Sequence, residues 1–268
     1  MTGPATRPDT VVLIHGLWLT PLSWENWITR YEARGLKVIA PSWPGMEGTV
    51  EELRADPSPM AKHNAKMIAN HYTGIIGNLP TKPIIMGHSF GGAFTQLMVD
   101  RGLGAAAVPI DSASVRGVLD LPFSTLKSAW PMLRNPLLRH RAIGLTLKEW
   151  NYAFCNTMPD AESQKAYDRY AVPGSRNVLL EGANANVNPF STFHVDFKKT
   201  DRAPMLFIGG GKDHTVPAVV SKHNAGKYKA QNITEYKEYP DRPHFTCGAP
   251  GWEEVADYAL DWALEHAR

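Results

Sequence analysis

The stretch Ile84-Ile85-Met86-Gly87-His88-Ser89-Phe90-Gly91-Gly92 joins an apolar run to a serine framed by glycines, and a helix-like run, residues 93–99, follows it. In a nucleophile elbow, a strand ends in a turn so sharp that the serine side chain stands alone above the sheet. Gly87 and Gly91 are then needed, because a Cβ at either position would strike the neighbouring backbone. The pattern predicts that Ser89 is a nucleophile. The alternative is a glycine-rich turn with an idle serine.

The composition favours one α/β domain with a sizeable core, since 43% of the 268 residues are hydrophobic and 20% are charged. The net charge of +2 and the lack of Lys and Arg runs interleaved with aromatics argue against a nucleic-acid partner. The apolar stretches are too short for a membrane span. Residues 1–9 contain prolines and no apolar centre, so they do not resemble a secretory signal. We expect a soluble, cytoplasmic protein.

Cysteines and histidines give little sign of a metal or disulfide framework. Cys155 and Cys247 are the only cysteines, and the sequence leaves open whether they pair. The ten histidines show no paired spacing typical of metal ligands. We therefore expect neither a metal nor another cofactor.

Apolar runs predict the strands of a mostly parallel sheet with helices on both faces. The runs cover residues 10–14, 36–40, 84–86, 105–110 and 204–208, and residues 233–239 alternate as an edge strand would. Helical spacing is found over residues 24–31, 58–79, 93–101, 216–229 and 252–263. Ser23 is the expected N-cap of the first helix, and His63, Lys66 and His71 of the second are expected to face solvent.

Between residues 114 and 201 the alternation of strands and helices stops, and prolines and aromatics accumulate. A structureless loop of that length is uncommon in a compact domain, so a helical insertion is expected. We assign residues 114–201 to a cap, and residues 1–113 and 202–268 to the core. The aromatics of the insertion and of the first loop would form a substrate pocket of Trp18, Phe123, Trp130, Trp150 and Phe154.

An acidic turn follows the strand at 204–208. Its sequence, Gly209-Gly210-Gly211-Lys212-Asp213, has glycines that could suggest a phosphate loop, but Asp213 stands where Ser or Thr should hold magnesium. Asp213 instead follows a strand end, where carboxylates of α/β sheets reach the ligand crevice. An ordinary surface turn is the alternative. Asp111, which also follows a strand end, is a rival for the role of catalytic acid.

Two further loops complete the predicted site. His15-Gly16-Leu17 follows the first strand, where the backbone can turn toward the serine, and an oxyanion needs two N–H donors. We assign these donors to Leu17 and Phe90, with an ordinary tight turn as the alternative. His244 lies in a proline-rich loop after the last strand, whereas His15 and His88 are interpreted as structural neighbours of the elbow.

Ser89, Asp213 and His244 follow one another in the order of the α/β-hydrolases. From Thr10 to its C-terminus the chain resembles this family. His15-Gly16 is similar to the oxyanion loop, Gly87-His88-Ser89-Phe90-Gly91-Gly92 to the elbow, residues 211–217 to the acid turn, and Pro243-His244-Phe245 to the histidine loop. The N-terminus is too short for the first two strands of larger members, so the resemblance implies an α/β-hydrolase fold with about six strands and a cap before residues 204–208.

The resemblance also implies a function. The protein would be a carboxylesterase-type serine hydrolase of small, fairly apolar esters or lactones, acting through an acyl-enzyme on Ser89, with His244 as base and Asp213 as its orienting acid. The same residues serve carbon–carbon hydrolases and cofactor-free haloperoxidases, whereas serine at position 89 disfavours epoxide hydrolases and dehalogenases. A slow-turnover ligand receptor and a silent scaffold stay open. A small-molecule ester is the expected partner, and the chain would be a monomer or homodimer.

Overall fold

A six-stranded parallel sheet forms the centre of the computed structural model, which describes residues 7–134, 140–228 and 232–268. The strands of this part of the chain are β1 (Thr10–Ile14), β2 (Lys37–Ile39), β3 (Ile84–His88), β4 (Ala106–Ile110), β5 (Ala142–Ile143), β6 (Gly174–Ser175), β7 (Met205–Gly210) and β8 (Thr234–Tyr239). The sheet order is β2-β1-β3-β4-β7-β8, whereas β5 and β6 pair only with each other. The predicted parallel sheet of about six strands is confirmed.

Helices cover both faces of the sheet, as predicted. The α-helices are α1 (Glu25–Glu32), α2 (Val50–Ala55), α3 (Ser58–Ala61), α4 (Ala65–Gly77), α5 (Phe90–Asp100), α6 (Phe123–Leu133), α7 (Leu147–Phe154), α8 (Asp160–Tyr170), α9 (Arg176–Ala183), α10 (Ala218–Lys227) and α11 (Trp252–His266). Side chains of a strand alternate between faces. Val12 of β1 therefore packs in the cluster with α4 and α5, while Val11 packs in the opposite cluster with α1 and α11.

The predicted helix over residues 58–79 is wrong in the middle, where the chain breaks between α3 and α4. Asn64 has extended backbone and its side-chain oxygen accepts the Met67 N–H at 2.9 Å, so it caps a new helix. The break buries His63 against the Trp43 ring, with centroids 5.7 Å apart, so the expectation that His63 faces solvent is also wrong.

Ser23 is not the N-cap that the sequence suggested. Thr20 caps a 3-10 turn over Pro21–Trp24 by accepting the Leu22 N–H, and Ser23 donates its hydroxyl to the Thr20 carbonyl at 2.8 Å. The helix α2, with the capping box of Thr49 and Glu52, was not predicted.

In its described residues, the segment between β4 and β7 contains the helices α6 to α9 and the short β5–β6 pair. Trp18 of the first core loop holds it at two points: its ring N–H donates to the Ile143 carbonyl at 3.0 Å, and its own carbonyl accepts the Val172 N–H at 2.9 Å. The division into core and cap stays a prediction. Residues 1–6 of the predicted core, residues 135–139 of the predicted cap and Lys229 of a predicted helix lie outside the described residues.

Two further properties concern the chain as a whole. None of the helices within the described ranges is long and apolar enough to cross a membrane. Cys155 and Cys247 are both buried and both free, which answers the question of pairing that the sequence left open.

Candidate active site

Ser89 occupies a strained turn between β3 and α5. Its φ of 56° and ψ of −121° lie outside the regions that residues with a side chain prefer. The backbone fixes this geometry, because the Ser89 N–H donates to the Ile110 carbonyl at 2.9 Å and the Ser89 carbonyl accepts the Ala113 N–H at 3.0 Å. The turn is thus locked to the end of the neighbouring strand β4.

Glycines allow the close packing around this turn. A Cβ on Gly91 would lie 2.0 Å from the Ile14 carbonyl oxygen, and one on Gly87 would lie 2.2 Å from the Gly91 oxygen. On the other side, a Cβ on Gly16 would lie 2.8 Å from the Ser89 Cβ. The loop after β1 therefore lies directly against the serine.

Asp213 and His244 form a buried pair. The Nδ1 of His244 lies 2.6 Å from the Oδ2 of Asp213, and both side chains are fully buried. The other carboxylate oxygen accepts the N–H groups of Thr215 at 2.6 Å and Val216 at 2.8 Å. With its proton on Nδ1, the imidazole keeps a lone pair on Nε2, which is the atom that a general base needs.

Burial sets the protonation of this pair. Removal from water lowers the pKa of His244 to about 3, so the imidazole is neutral at neutral pH. Burial raises the pKa of Asp213, and the backbone N–H groups of Val216 and Thr215 oppose that change by stabilising the carboxylate.

Neighbouring residues hold the loop that carries His244. The Phe154 ring meets the imidazole edge-on at 4.9 Å between centroids, and the Phe154 carbonyl accepts the Phe245 N–H at 2.9 Å. His88 Nε2 donates to the His244 carbonyl at 2.7 Å. Within the described residues, the His244 Nε2 is buried without a hydrogen-bond partner, so no such bond joins it to Ser89.

Of the two predicted oxyanion donors, Phe90 directly follows Ser89 in the chain, and Leu17 follows Gly16, which lies against Ser89. Phe90 is the first residue of α5, so its N–H has no partner within the helix. Among the turn and loop hydrogen bonds of the described ranges, none uses the backbone N–H of Leu17 as a donor. Their role in binding an oxyanion stays a prediction.

His15 supports the loop that carries Leu17. Its Nδ1 bonds to the Gly16 carbonyl at 3.0 Å, its Nε2 accepts the Trp43 N–H at 3.2 Å, and its ring stacks on Trp43 at 5.0 Å. Burial lowers the pKa of His15 to about 3. His15 is therefore a neutral structural group.

A cavity of about 350 Å³ reaches Ser89. The loop after β1, the start of α5 and the segment after β7 contribute Trp18, Phe90, Thr215, Val216 and Val220 to its walls. The segment between β4 and β7 contributes Val118, Leu119, Leu126, Ala129, Leu179 and Asn186, among others. A larger surface groove of about 820 Å³, lined by Met46 and Arg169, does not include the serine.

Of the five residues predicted to form the substrate pocket, one lines the cavity at Ser89 and four do not. Trp18 lines the cavity. Phe123 and Trp130 are 80% and 59% exposed, and Trp150 and Phe154 are buried in a stack with centroids 4.3 Å apart. None of these four aromatics is part of the cavity wall.

Helix geometry explains which face of α6 points inward. The cavity is lined by Thr125, Leu126, Ala129 and Leu133, which share one helical face, whereas Phe123 and Trp130 lie on another. The lining residues Leu179, Gly182, Ala183 and Asn186 also follow helical spacing. That spacing was a signal in the sequence that a search for aromatics missed.

Asp111 lies beside the pair rather than within it. Its backbone has a φ of 43°, and its Oδ1 accepts the Gly210 N–H at 2.7 Å. His88, Asp111 and His244 each offer one ligand atom, all within 4.8 Å of one another, which is the one such group found among the described residues. The residues are far apart in sequence, so ligand spacing could not reveal it.

Comparisons with known proteins identify the family and the fold of the chain. The sequence matches the profile described as "Alpha/beta hydrolase family" over residues 11–263. Polyneuridine aldehyde esterase is similar in structure, with a TM-score of 0.68 at 19% identity over 96% of this chain and 99% of that one. No curated protein sequence matches the chain.

Two other solved structures show the same fold. An extracellular alpha/beta-hydrolase from a Paenibacillus species has a TM-score of 0.68 at 18% identity, with 97% of this chain and all 100% of that one covered. A methylesterase from Arabidopsis has a TM-score of 0.64 at 14% identity, over 94% and 98% of the two chains. The profile match spans most of the sequence, and the chain belongs to the alpha/beta hydrolase family.

Proposed function

We propose that the protein is a serine esterase that hydrolyses small, neutral, largely apolar carboxylic esters through an acyl-enzyme on Ser89. The observation that carries this proposal is the buried 2.6 Å contact between His244 Nδ1 and Asp213 Oδ2. A hydrogen bond from His88, the residue before the strained Ser89, connects this histidine to the serine turn. A serine hydroxyl becomes a useful nucleophile only when a base takes its proton. His244 is a neutral imidazole with a free Nε2, so it can fill that role.

Each step of the reaction has a group to carry it. The Ser89 Oγ attacks the ester carbonyl carbon as its proton passes to His244 Nε2, and the carbonyl oxygen becomes an oxyanion. The N–H groups of Leu17 and Phe90 stabilise that oxyanion. The tetrahedral intermediate expels the alcohol, which takes the proton from His244. Water then attacks the acyl-enzyme by the same route and releases the acid.

The cavity wall favours a neutral, apolar substrate. Of the residues that line it within the described chain, none is Lys, Arg or His, and its one carboxylate, Asp120, lies 2.8 Å from His223. An anionic substrate would find no counter-charge there, and a buried unpaired charge is costly. A volume of about 350 Å³ suits a small ester. The similar structures include enzymes named as an esterase and a methylesterase, which supports ester chemistry.

A turnover experiment tests the proposal. p-Nitrophenyl acetate and butyrate should be hydrolysed continuously, and a fluorophosphonate probe should label Ser89. Ser89→Ala should not be labelled, and its kcat should be at least about a thousandfold lower than that of the wild type. A single burst without turnover would instead indicate a slow ligand receptor. Cleavage of a diketone without ester hydrolysis would indicate a carbon–carbon hydrolase. Activity in a peroxide assay without ester hydrolysis would indicate a haloperoxidase.

A further inference from the structure

The imidazole of His244 has two buried carboxyl groups near it. Asp213 is bonded to Nδ1, and a carboxyl oxygen of Asp111 lies within 4.8 Å of a ring nitrogen of His244. Asp111 is fully buried at the end of β4. The proposed reaction makes no use of this second acid.

The hydrogen bonds of Asp111 leave one of its oxygens free. Oδ1 accepts the Gly210 N–H at 2.7 Å, whereas Oδ2 is buried and has no hydrogen-bond partner in the described part of the chain. The hydroxyl of Thr246 gives its proton to the Pro243 carbonyl at 2.7 Å. A buried polar atom without a partner normally destabilises a fold. The backbone of Asp111 is also strained, with a φ of 43°.

The surroundings of Asp111 favour its neutral, protonated form. Burial raises its pKa, and the neighbouring Asp213 raises it further. Two carboxylates this close to one imidazole do not both ionise easily. Burial and the neighbouring Asp213 thus both favour the protonated form of Asp111.

We propose that Asp111 is a reserve positioning residue, able to orient the His244 imidazole when the Asp213 carboxylate is lost. Without Asp213, Asp111 would release its proton to solvent, and its free Oδ2 would accept the imidazole N–H. A carboxyl oxygen of Asp111 already lies within 4.8 Å of a ring nitrogen of His244, so a side-chain movement would bring the two groups together. Because Asp111 acts through the catalytic base, this role rests on the proposed function.

Two substitutions of Asp213 separate this role from a purely structural one. Asp213→Ala removes the acceptor and leaves the imidazole N–H available to Asp111. Asp213→Asn offers an amide N–H to Nδ1, which favours the wrong imidazole tautomer and prevents the transfer. Asp213→Ala should therefore keep a kcat at least about tenfold higher than Asp213→Asn. The acidic limb of the pH profile of kcat/KM should also lie at a higher pH for Asp213→Ala than for the wild type, because Asp111 must then ionise.

A double-mutant cycle with Asp111→Asn completes the test. Asp111→Asn should lower kcat at least about tenfold more in the Asp213→Ala background than in the wild-type background. Equal effects in both backgrounds would overturn the proposal, as would an Asp213→Ala enzyme no better than Asp213→Asn. Circular dichroism checks that each variant folds, and Asp213→Ser replaces Asp213→Ala if the latter does not. Fluorophosphonate labelling of wild-type Ser89 separates the two proposals, since its absence would reject the proposed function itself.

Discussion

His88 Nε2 donates a hydrogen bond to the main-chain oxygen of His244 at 2.7 Å, and this bond ties the residue before the nucleophile to the residue proposed as its base. The two rings also lie 4.6 Å apart between centroids. The position of the histidine loop relative to the elbow thus depends on the His88 side chain, which has no part in the proposed proton transfer.

Replacing His88 should therefore impair the chemical step more than substrate binding. We expect His88→Leu to lower kcat about tenfold with little change in KM, because the imidazole of His244 is held less firmly. His88→Gln, which can donate an amide N–H to the same oxygen, should recover much of that loss. Steady-state kinetics on p-nitrophenyl butyrate measure both, and equal losses in the two variants would contradict this role.

The elbow glycines should tolerate no side chain. Gly91→Ala should prevent folding or lower the free energy of unfolding by several kcal/mol, because its Cβ would lie 2.0 Å from the Ile14 oxygen. Gly74→Ala is the matched control: Gly74 lies within α4 and its Cβ would meet nothing within 4 Å. It should stabilise the protein by about 0.5–1 kcal/mol. Urea denaturation checks both, and a folded, equally stable Gly91→Ala protein would show that the turn is not so tightly packed.

Stability should fall with pH through the buried His15. Burial lowers its pKa to about 3, whereas in the unfolded chain the imidazole binds a proton near its ordinary pKa of 6.5. The unfolded state thus binds more protons below pH 6.5, so the contribution of His15 is complete above that pH and is lost as pH falls toward 3. Relative to His15→Gln, which does not titrate, the wild type should lose up to about 2 kcal/mol between pH 7.5 and 5.0. A constant difference in unfolding free energy across this range would contradict the assignment.

Narrowing the cavity should change chain-length preference. Ala129 lines the cavity from α6, so Ala129→Phe should lower kcat/KM for octanoate esters at least about tenfold while acetate hydrolysis changes little. Trp130→Ala, on the exposed face of the same helix, is the control and should leave the ratio of the two rates unchanged. The opposite pattern would favour the pocket predicted from the sequence over the cavity that the structure shows.

Local patterns predicted the sheet well, because the apolar runs and the glycine-framed serine each depend on neighbours in sequence. The run at residues 10–14 became β1 without a change of boundary. The break before Asn64 was missed because the helical spacing of apolar residues continues across it, and only the capping side chain marks the new helix.

The site was predictable where it depended on strand ends and less so where it depended on long-range packing. Asp213 and His244 lie in loops that follow strands, which predicts that they meet, and the fold brings their side chains into contact. Aromatic type alone does not predict the pocket, because Trp150 and Phe154 stack on each other and Phe154 packs against His244. Which helix face meets the cavity is decided by contacts between distant segments, which the sequence does not display.

The most direct test of the account is mass spectrometry of the protein quenched during turnover of p-nitrophenyl butyrate. We expect a butyryl adduct on the peptide that contains Ser89, formed and lost during continuous turnover and absent from Ser89→Ala. Sustained hydrolysis without that adduct, at a rate that Ser89→Ala retains, would contradict it.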